Sequence, residues 1–366
     1  MHTTTEWHEL TDVVRAATGR PDAVPSRWWT EAVDYPVASW GTGELARVRG
    51  RATTASGPLD WSAFVKTLRS PLRMLGSLPD SLRARAVTDR TWRHEADIYR
   101  AGLDDLLPPG MRMPVRYRID DSADDQIVEW LEDVDVLDVD WGRARFARAA
   151  ELLGRLAARL TRIDRMPPSV SRVPGEVLRL QLVERETLWL PALENSPVWA
   201  PVERLGPGLH GDLHRLAERL PALVDALEDL PQTYVHGDAS PQNLLVPVSD
   251  PGVFVAIDWS LSGLVAVGYD LSQLVVGLAH AGRLDPVELP AVCDAVVPAY
   301  RAGLAAEGIT VDAAVVRFGC HAALAVRSAL TALPLDGSAG VDALAHRTRL
   351  TRCLVDLGLA LPLAGP

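Results

Sequence analysis

The residues with the most chemical content lie in two short stretches. The first reads Tyr234-Val235-His236-Gly237-Asp238-Ala239-Ser240-Pro241-Gln242-Asn243-Leu244-Leu245, and ten residues further on comes Val255-Ala256-Ile257-Asp258-Trp259-Ser260. Asp238 follows an apolar run and a glycine, which predicts a loop at a strand end. Asn243 opens the next short apolar run, and Asp258 closes another with the lead-in Phe254-Val255-Ala256-Ile257. Reversals between such short strands bring their ends together. Asn243 and Asp258 offer two hard oxygen ligands, which suit Mg²⁺ carrying phosphate groups. Asp238 is then a carboxylate free to accept a proton from an attacking hydroxyl. The chemistry these types and spacings describe is metal-assisted phosphoryl transfer.

Two asymmetries in charge point elsewhere in the chain. Of 37 basic residues, 36 are Arg and one, Lys66, is Lys. A position that stays Lys in such a chain is a candidate for a compact point charge where a planar fork would not serve. The acids cluster instead. Between Asp120 and Asp140 there are 10 acidic residues and no base, nearly the whole formal net charge of −11. A solvated turn accounts for any one of these acids; together they would attract a cation.

The elements that must position these residues fall into two regions. Residues 5–18 read as an amphipathic helix closed by Gly19 and Pro21. Glu44–Ala52 and Trp61–Leu68 alternate as two strands of a hairpin around Gly57-Pro58, with Lys66 on the second. Thr91–Gly102 reads as a helix, with Thr91 or Asp89 near its cap, and Val115–Ile119 and Gln126–Leu131 as further strands around an acidic turn. From Trp141 the pattern turns helical, beginning with a long helix over 143–163. A brief β interruption at 233–235, 244–246 and 253–257 holds the two chemical stretches, and helices resume from about residue 269. The expected class is α+β, with a helical extension over 1–35, a β-rich lobe over 36–135 and a mainly helical lobe over 136–366.

The pattern His236-Gly237-Asp238 with Asn243 after four intervening residues, followed by a metal-type Asp258 after an Ile, is that of a protein-kinase-type phosphotransferase. With Gly after the His and Ile-Asp-Trp at the metal site, it resembles the aminoglycoside phosphotransferase/choline kinase family. That resemblance implies a two-lobed protein-kinase-like fold and an ATP-dependent kinase using Mg²⁺. It implies Asp238 as the catalytic base, Asn243 and Asp258 on the metal, and Lys66 as the lysine contacting ATP phosphates, set by Glu95 on the following helix. Val267-Gly268-Tyr269-Asp270-Leu271 resembles the family segment whose Asp braces the catalytic loop, so His236 and Asp270 are expected as structural support. Gly41-Thr42-Gly43 is the candidate phosphate-covering loop, through Thr42 and Gly43. Gln126-Ile127-Val128-Glu129-Trp130-Leu131-Glu132-Asp133-Val134 resembles the strand leading to the adenine hinge, with backbone contacts from Leu131 to Asp133.

Composition bounds the rest. At 366 residues, 48% hydrophobic and 23% charged, the chain can bury a sizeable core. A pI near 5.3 excludes the usual basic nucleic-acid binder. Three cysteines, Cys293, Cys320 and Cys353, are too few and too scattered in sequence for a disulfide framework or zinc site. No signal peptide and no apolar run of membrane length is read, so a reduced, cytoplasmic setting without a membrane partner is expected. The acidic run favours a small, amine-bearing metabolite or antibiotic as phosphoryl acceptor. A peptide Ser/Thr hydroxyl in natural-product biosynthesis is the alternative. A catalytically inactive scaffold is a third reading, disfavoured by the intact Lys66, Asp238, Asn243 and Asp258.

Overall fold

The structure is a computed structural model and describes residues 7–33, 41–77, 91–162, 174–363 and 365–366. The chain divides into two compact units. One comprises Met1–Leu103, Met113–Leu137 and Pro247–Pro251, the other Asp104–Arg112, Asp138–Val246 and Gly252–Pro366. Among the described residues, no helix is long and apolar enough to cross a membrane.

The first unit is built on a five-stranded antiparallel sheet. Its strands are β1 (Val24–Ala32), β2 (Thr42–Thr54), β3 (Gly57–Arg69), β5 (Arg116–Ala123) and β6 (Gln126–Leu131), in the order β1-β2-β3-β6-β5. Helix α1 (Trp7–Thr18) buries Leu10, Val13 and Val14 against Val48, Ala52, Trp61, Ala63 and Trp130 on one face of the sheet. These three side chains sit at helical spacing, which gives α1 a single apolar stripe. On β3 the strand alternation sends Trp61 and Ala63 to that core, while Leu68 joins Trp92, Ala96 and Ile127 in a second cluster under helix α2 (His94–Ala101). Residues 1–35 therefore are not a helical extension: the described part supplies both a packed helix and an edge strand. β1 escapes a sequence reading because it carries Pro25, has a bulge between Pro25 and Arg27, and is exposed at most positions. Helix α2 starts at His94 after a 3₁₀ turn and without a side-chain cap, and ends where Gly102 takes a left-handed conformation. Asp89, considered as its cap, lies outside the described residues.

The second unit is mostly helical. It contains α3 (Arg143–Thr161), the short helices α4 (Glu176–Glu184), α5 (Leu190–Glu194) and α6 (Trp199–Leu205), and α7 (Leu209–Glu228). Beyond the β interruption lie α8 (Asp270–His280), α9 (Leu289–Ala306), α10 (Ala313–Leu324) and α11 (Val341–Ala360). The strands are few and short. β4 (Met111–Arg112), β9 (Phe254–Ala256) and β8 (Leu244–Leu245) form one small sheet, and β7 (Gln232–Val235) pairs with β10 (Gly263–Ala266). Helices α3 and α9 meet backbone to backbone. A Cβ on Gly154 would lie 2.1 Å from the Tyr300 carbonyl oxygen, and one on Gly303 would lie 2.0 Å from that of Glu151.

This contact leaves no room for a methyl group on either helix. Gly154→Ala and Gly303→Ala should each destabilise by about 1–3 kcal/mol through overpacking. Gly211→Ala, on the exposed side of α7 where an added Cβ meets nothing within 4 Å, should instead stabilise by about 0.5–1 kcal/mol. Thermal melts of the three variants check both signs.

Candidate active site

Strand alternation places Lys66 on the α2 face of β3, two residues before Leu68. Its Nζ donates to Glu95 Oε2 on α2 at 2.5 Å, and both side chains are buried. Two charges removed from water demand such close pairing. Directly opposite Lys66 in the β3–β6 register is Glu129, fully buried. Opposed residues of an antiparallel pair share a face, so a second carboxylate accompanies the ion pair. Spacing assigned Glu129 to the acidic run; only the register reveals this position.

The other first-unit candidates are placed less simply. Thr42 and Gly43 open β2 rather than forming a loop before the first strand. Thr42 pairs with Leu68, the Arg69 amide donates to the Gly41 carbonyl, and the Arg69 side chain lies over Gly43. Residues 34–40, just upstream, are not among those described. Leu131 is buried at the end of β6. The Glu132 amide donates to the Val115 carbonyl at 2.8 Å, so that hinge amide already has an acceptor. The Asp133 side chain accepts from Arg47 Nε at 2.9 Å, which gives it a partner within the unit.

In the second unit the two chemical stretches converge. Asp238 follows β7, Asn243 precedes β8, and Asp258 follows β9. The β8–β9 ladder and a bond from the Ile257 amide to the Asn243 carbonyl, 3.0 Å, join the last two. The loop after β7 is held from below by Asp270 at the start of α8. Its two carboxylate oxygens accept from the amides of His236, 2.9 Å, and Gly237, 2.8 Å. Burial pushes the Asp270 carboxyl up, opposed by His236 and these amides. His236 is fully buried with its ring on Trp259; burial lowers its pKa, so the imidazole is neutral, and its Nδ1 accepts from the Asp238 amide. Gly237 has φ +87°, and a Cβ there would lie 2.0 Å from the Leu261 carbonyl oxygen. Both facts confine this position to glycine.

Asp238 itself is gripped on both oxygens. Asn243 Nδ2 donates to Oδ2 at 2.9 Å and also to the Asp238 carbonyl. Arg327 Nη2 donates to Oδ1 at 2.5 Å. Desolvation, with Asp258 nearby, raises the pKa of the Asp238 carboxyl above its ordinary value, and Arg327 and Asn243 offset that rise only in part. Arg327 comes from a π-helical turn, Ala325–Ala329, that continues α10. Its Nη1 donates to the Gly237 carbonyl and to Tyr269 Oη, whose hydroxyl is also bonded to Gln181. Burial lowers the Arg327 guanidinium, but Tyr269 and Asp238 outweigh it and raise its pKa. The sequence reading missed Arg327. It lies 89 residues from Asp238, and as one arginine among 36 it carries no mark of its own.

The residues suit a hard cation. Asn243 uses its amide nitrogen on Asp238, which leaves the amide oxygen as the atom that could meet a cation. Asp258 is the one non-glycine residue with positive φ, 61°, among those described. A carboxylate held in that sparsely populated region at a strand end is a functional signal. Its Oδ1 accepts from Ser260. Among the described residues no group of three or more His, Cys, Asp or Glu could hold a metal. One amide and one carboxylate leave most coordination positions to phosphate and water oxygens, as Mg²⁺ requires.

The acidic run does not form an open negative field. Asp120 pairs with Arg118, Asp121 with Arg93 and Arg100, Asp125 with Arg73, Asp133 with Arg47, and Asp138 with Arg283. Arginines pair with half of the run, four of those five acids through arginines distant in sequence and Asp120 through the nearby Arg118.

Residues 83–307 match the phosphotransferase enzyme family, APH. Among solved structures, an amicoumacin kinase in complex with AMP-PNP, Ca²⁺ and Ami is similar at 14% identity. The match covers 91% of this chain and 89% of that one, with a TM-score of 0.51. An ethanolamine kinase of Plasmodium vivax is similar at 13% identity over 96% of this chain and 89% of that one, with a TM-score of 0.50. No curated protein matches the sequence. The two structures establish a protein-kinase-like fold with a β-rich N-terminal part and a larger helical C-terminal part. The family match spans more than half of the chain, and the protein therefore belongs to the phosphotransferase enzyme family, as a kinase acting on an alcohol group.

Proposed function

We propose that the protein transfers the γ-phosphoryl group of ATP to a hydroxyl of a small molecule, with Asp238 as the base. The observation that carries this reading is the Asp238 carboxylate, buried yet held by Arg327 and Asn243 at the mouth of a loop fixed by Asp270. Lys66, set by Glu95, orients the nucleotide phosphates. Asn243 and Asp258 hold Mg²⁺, which when bound would neutralise charge on the phosphates. Asp238 aligns the acceptor hydroxyl and takes its proton as transfer completes. Arg327 opposes the desolvation that raises the pKa of that carboxylate. Catalysis of this kind rests on positioning and charge stabilisation. The acceptor need not carry an amine, because half of the acidic run is paired with arginine.

Asp238→Asn should lower the transfer rate by about 10² to 10⁴-fold while nucleotide affinity stays within twofold of wild type. ADP release with a panel of hydroxylated acceptors, beside nucleotide titration, measures both. Equal rates for variant and wild type would remove Asp238 as the base. Lys66→Arg should fold normally and lose about tenfold to a thousandfold in rate, since about 1 Å of misplacement has effects of this order.

Arg327→Met strands a buried carboxylate and should destabilise by about 3–5 kcal/mol. Asp238→Asn/Arg327→Met should melt above Arg327→Met, because the stranded charge is gone. Additive destabilisation in the double variant would show that the pair is not coupled. With a paired acidic run, acceptor KM should change less than twofold between 0.01 and 0.15 M salt, although the screening length falls from about 30 to 8 Å. A steep rise in KM would restore the run as a steering surface for a cationic acceptor.

A further inference from the structure

The proposed phosphoryl transfer makes no use of a pair of histidines on α7. His210 and His214 lie four residues apart, so one stands above the other on the same face of the helix. Their Nε2 atoms are 3.1 Å apart, and their ring centroids are 4.8 Å apart in an edge-on arrangement. Both residues are half-buried, so the fold holds the pair and water still reaches it.

The surroundings fix the first ring in place. Glu203 on α6 spends its carboxylate on the start of α7: Oε2 accepts from the Gly208 amide at 2.8 Å and Oε1 from the His210 amide at 3.0 Å. The His210 ring lies against Trp199, also on α6, with centroids 4.1 Å apart. The Trp199 indole is anchored in turn, its Nε1 donating to the Leu193 carbonyl at 2.6 Å. His214 follows one turn along, where regular helix sets its backbone. Asp212, between the two in sequence, accepts from Arg215 and Arg352. Two imidazole nitrogens thus converge, while Glu203 and Asp212 are committed to other donors.

We propose that His210 and His214 form a chelating site for a late first-row divalent cation, Zn²⁺, Ni²⁺ or Cu²⁺, with water in the remaining positions. Two nitrogens bound at about 2.0–2.1 Å lie about 3.3 Å apart at a tetrahedral angle and about 2.9 Å apart at a right angle. The observed 3.1 Å falls between the two, so the rings need little movement to take up the ion. Imidazole suits these metals, whereas Mg²⁺ and Ca²⁺ take oxygen ligands. The pair therefore selects against the cation proposed for Asn243 and Asp258. Among the described residues no third His, Cys, Asp or Glu completes the set. The site is a two-armed chelate open to exchange, not a closed structural centre.

Two imidazole lone pairs cannot face each other at 3.1 Å, so in the free protein one Nε2 carries a proton and donates to the other. Binding needs both Nε2 lone pairs. The donor ring gives up its Nε2 proton and takes one at Nδ1 through solvent, so two neutral rings release no net proton. Two metal–nitrogen bonds replace one hydrogen bond and span the turn that Glu203 and Trp199 already hold. The ion clips that turn and stabilises the folded chain by mass action.

The test titrates full-length, untagged protein with Ni²⁺ in the presence of excess Mg²⁺. The expected result is one Ni²⁺ bound per chain and not displaced by Mg²⁺. His210→Gln and His214→Gln should each weaken binding by about tenfold or more, because the second arm of a chelate binds intramolecularly. The double variant should lose little beyond either single one. Metal-free thermal melts check that the variants fold, and the wild type alone supplies a second measurement. Zn²⁺ added to it should shift the Nε2 resonances of two of the nine histidines together in ¹H–¹⁵N spectra of the rings. Unchanged Ni²⁺ affinity in either single variant, release of Ni²⁺ by Mg²⁺, or no paired Nε2 shift with Zn²⁺ would overturn the site. Small losses that add in the double variant would show two separate ligands and overturn the chelate. None of these measurements reads phosphotransfer, so they stand apart from the function proposed above.

Discussion

The loop after β7 depends on stabilising a carboxylate that has left bulk water. An isolated buried carboxylate takes up a proton, because charge without solvation is costly. Asp238 lessens this cost, without cancelling it, by spending both oxygens on donors: Arg327 on one and Asn243 on the other. The guanidinium is the larger contribution, since the amide is neutral. It must also be rigid, because a swinging arginine would leave the carboxylate to protonate. Its rigidity comes from the Gly237 carbonyl, the Tyr269 hydroxyl and the π turn that places it. The Arg327 carbonyl in turn accepts from Arg185, another buried arginine.

From that pair the local backbone follows. The loop after β7 must pass close to the Leu261 carbonyl, which confines position 237 to glycine. Its amides at 236 and 237 point inward, away from water, and need acceptors. Asp270 supplies both with one side chain. Asn243 then serves twice, tying the loop to Asp238 through its nitrogen at both the carboxylate and the carbonyl. The strain at Asp258 belongs to the same arrangement: a positive φ turns the chain sharply at the end of β9 and is tolerated because Trp259, fully buried against His236, anchors the next residue.

How much of this the sequence discloses depends on the range of each contact. Asp238, Asn243 and Asp258 are legible because they lie on short strand ends close in sequence, where types and spacing suffice. Lys66 is legible by composition, as the lone lysine. Glu129 and Arg327 are not. One is revealed by strand register and the other by the packing of a distant helix, and neither leaves a local pattern. Strand β1 is hidden for a related reason: an edge strand with a proline and a bulge has no clean alternation to detect. The acidic run shows the converse failure. Its charge is plain in the sequence, but the arginines that offset it come from β2, the turn before α2 and α8–α9, so the net field is visible only once the chain is folded.

The two cations at the heart of the reading are of different kinds, and the difference follows from what each must bind. Arg327 faces three acceptors spread around Asp238: a carboxylate oxygen, a backbone carbonyl and a phenol. Only a planar fork with several fixed donors meets all three at once. Lys66 has one close carboxylate at 2.5 Å and a second directly across the sheet. There a compact ammonium fits between buried strand and helix. In a chain that uses arginine at every other basic position, lysine stands where a buried carboxylate is met by a point charge rather than a fork.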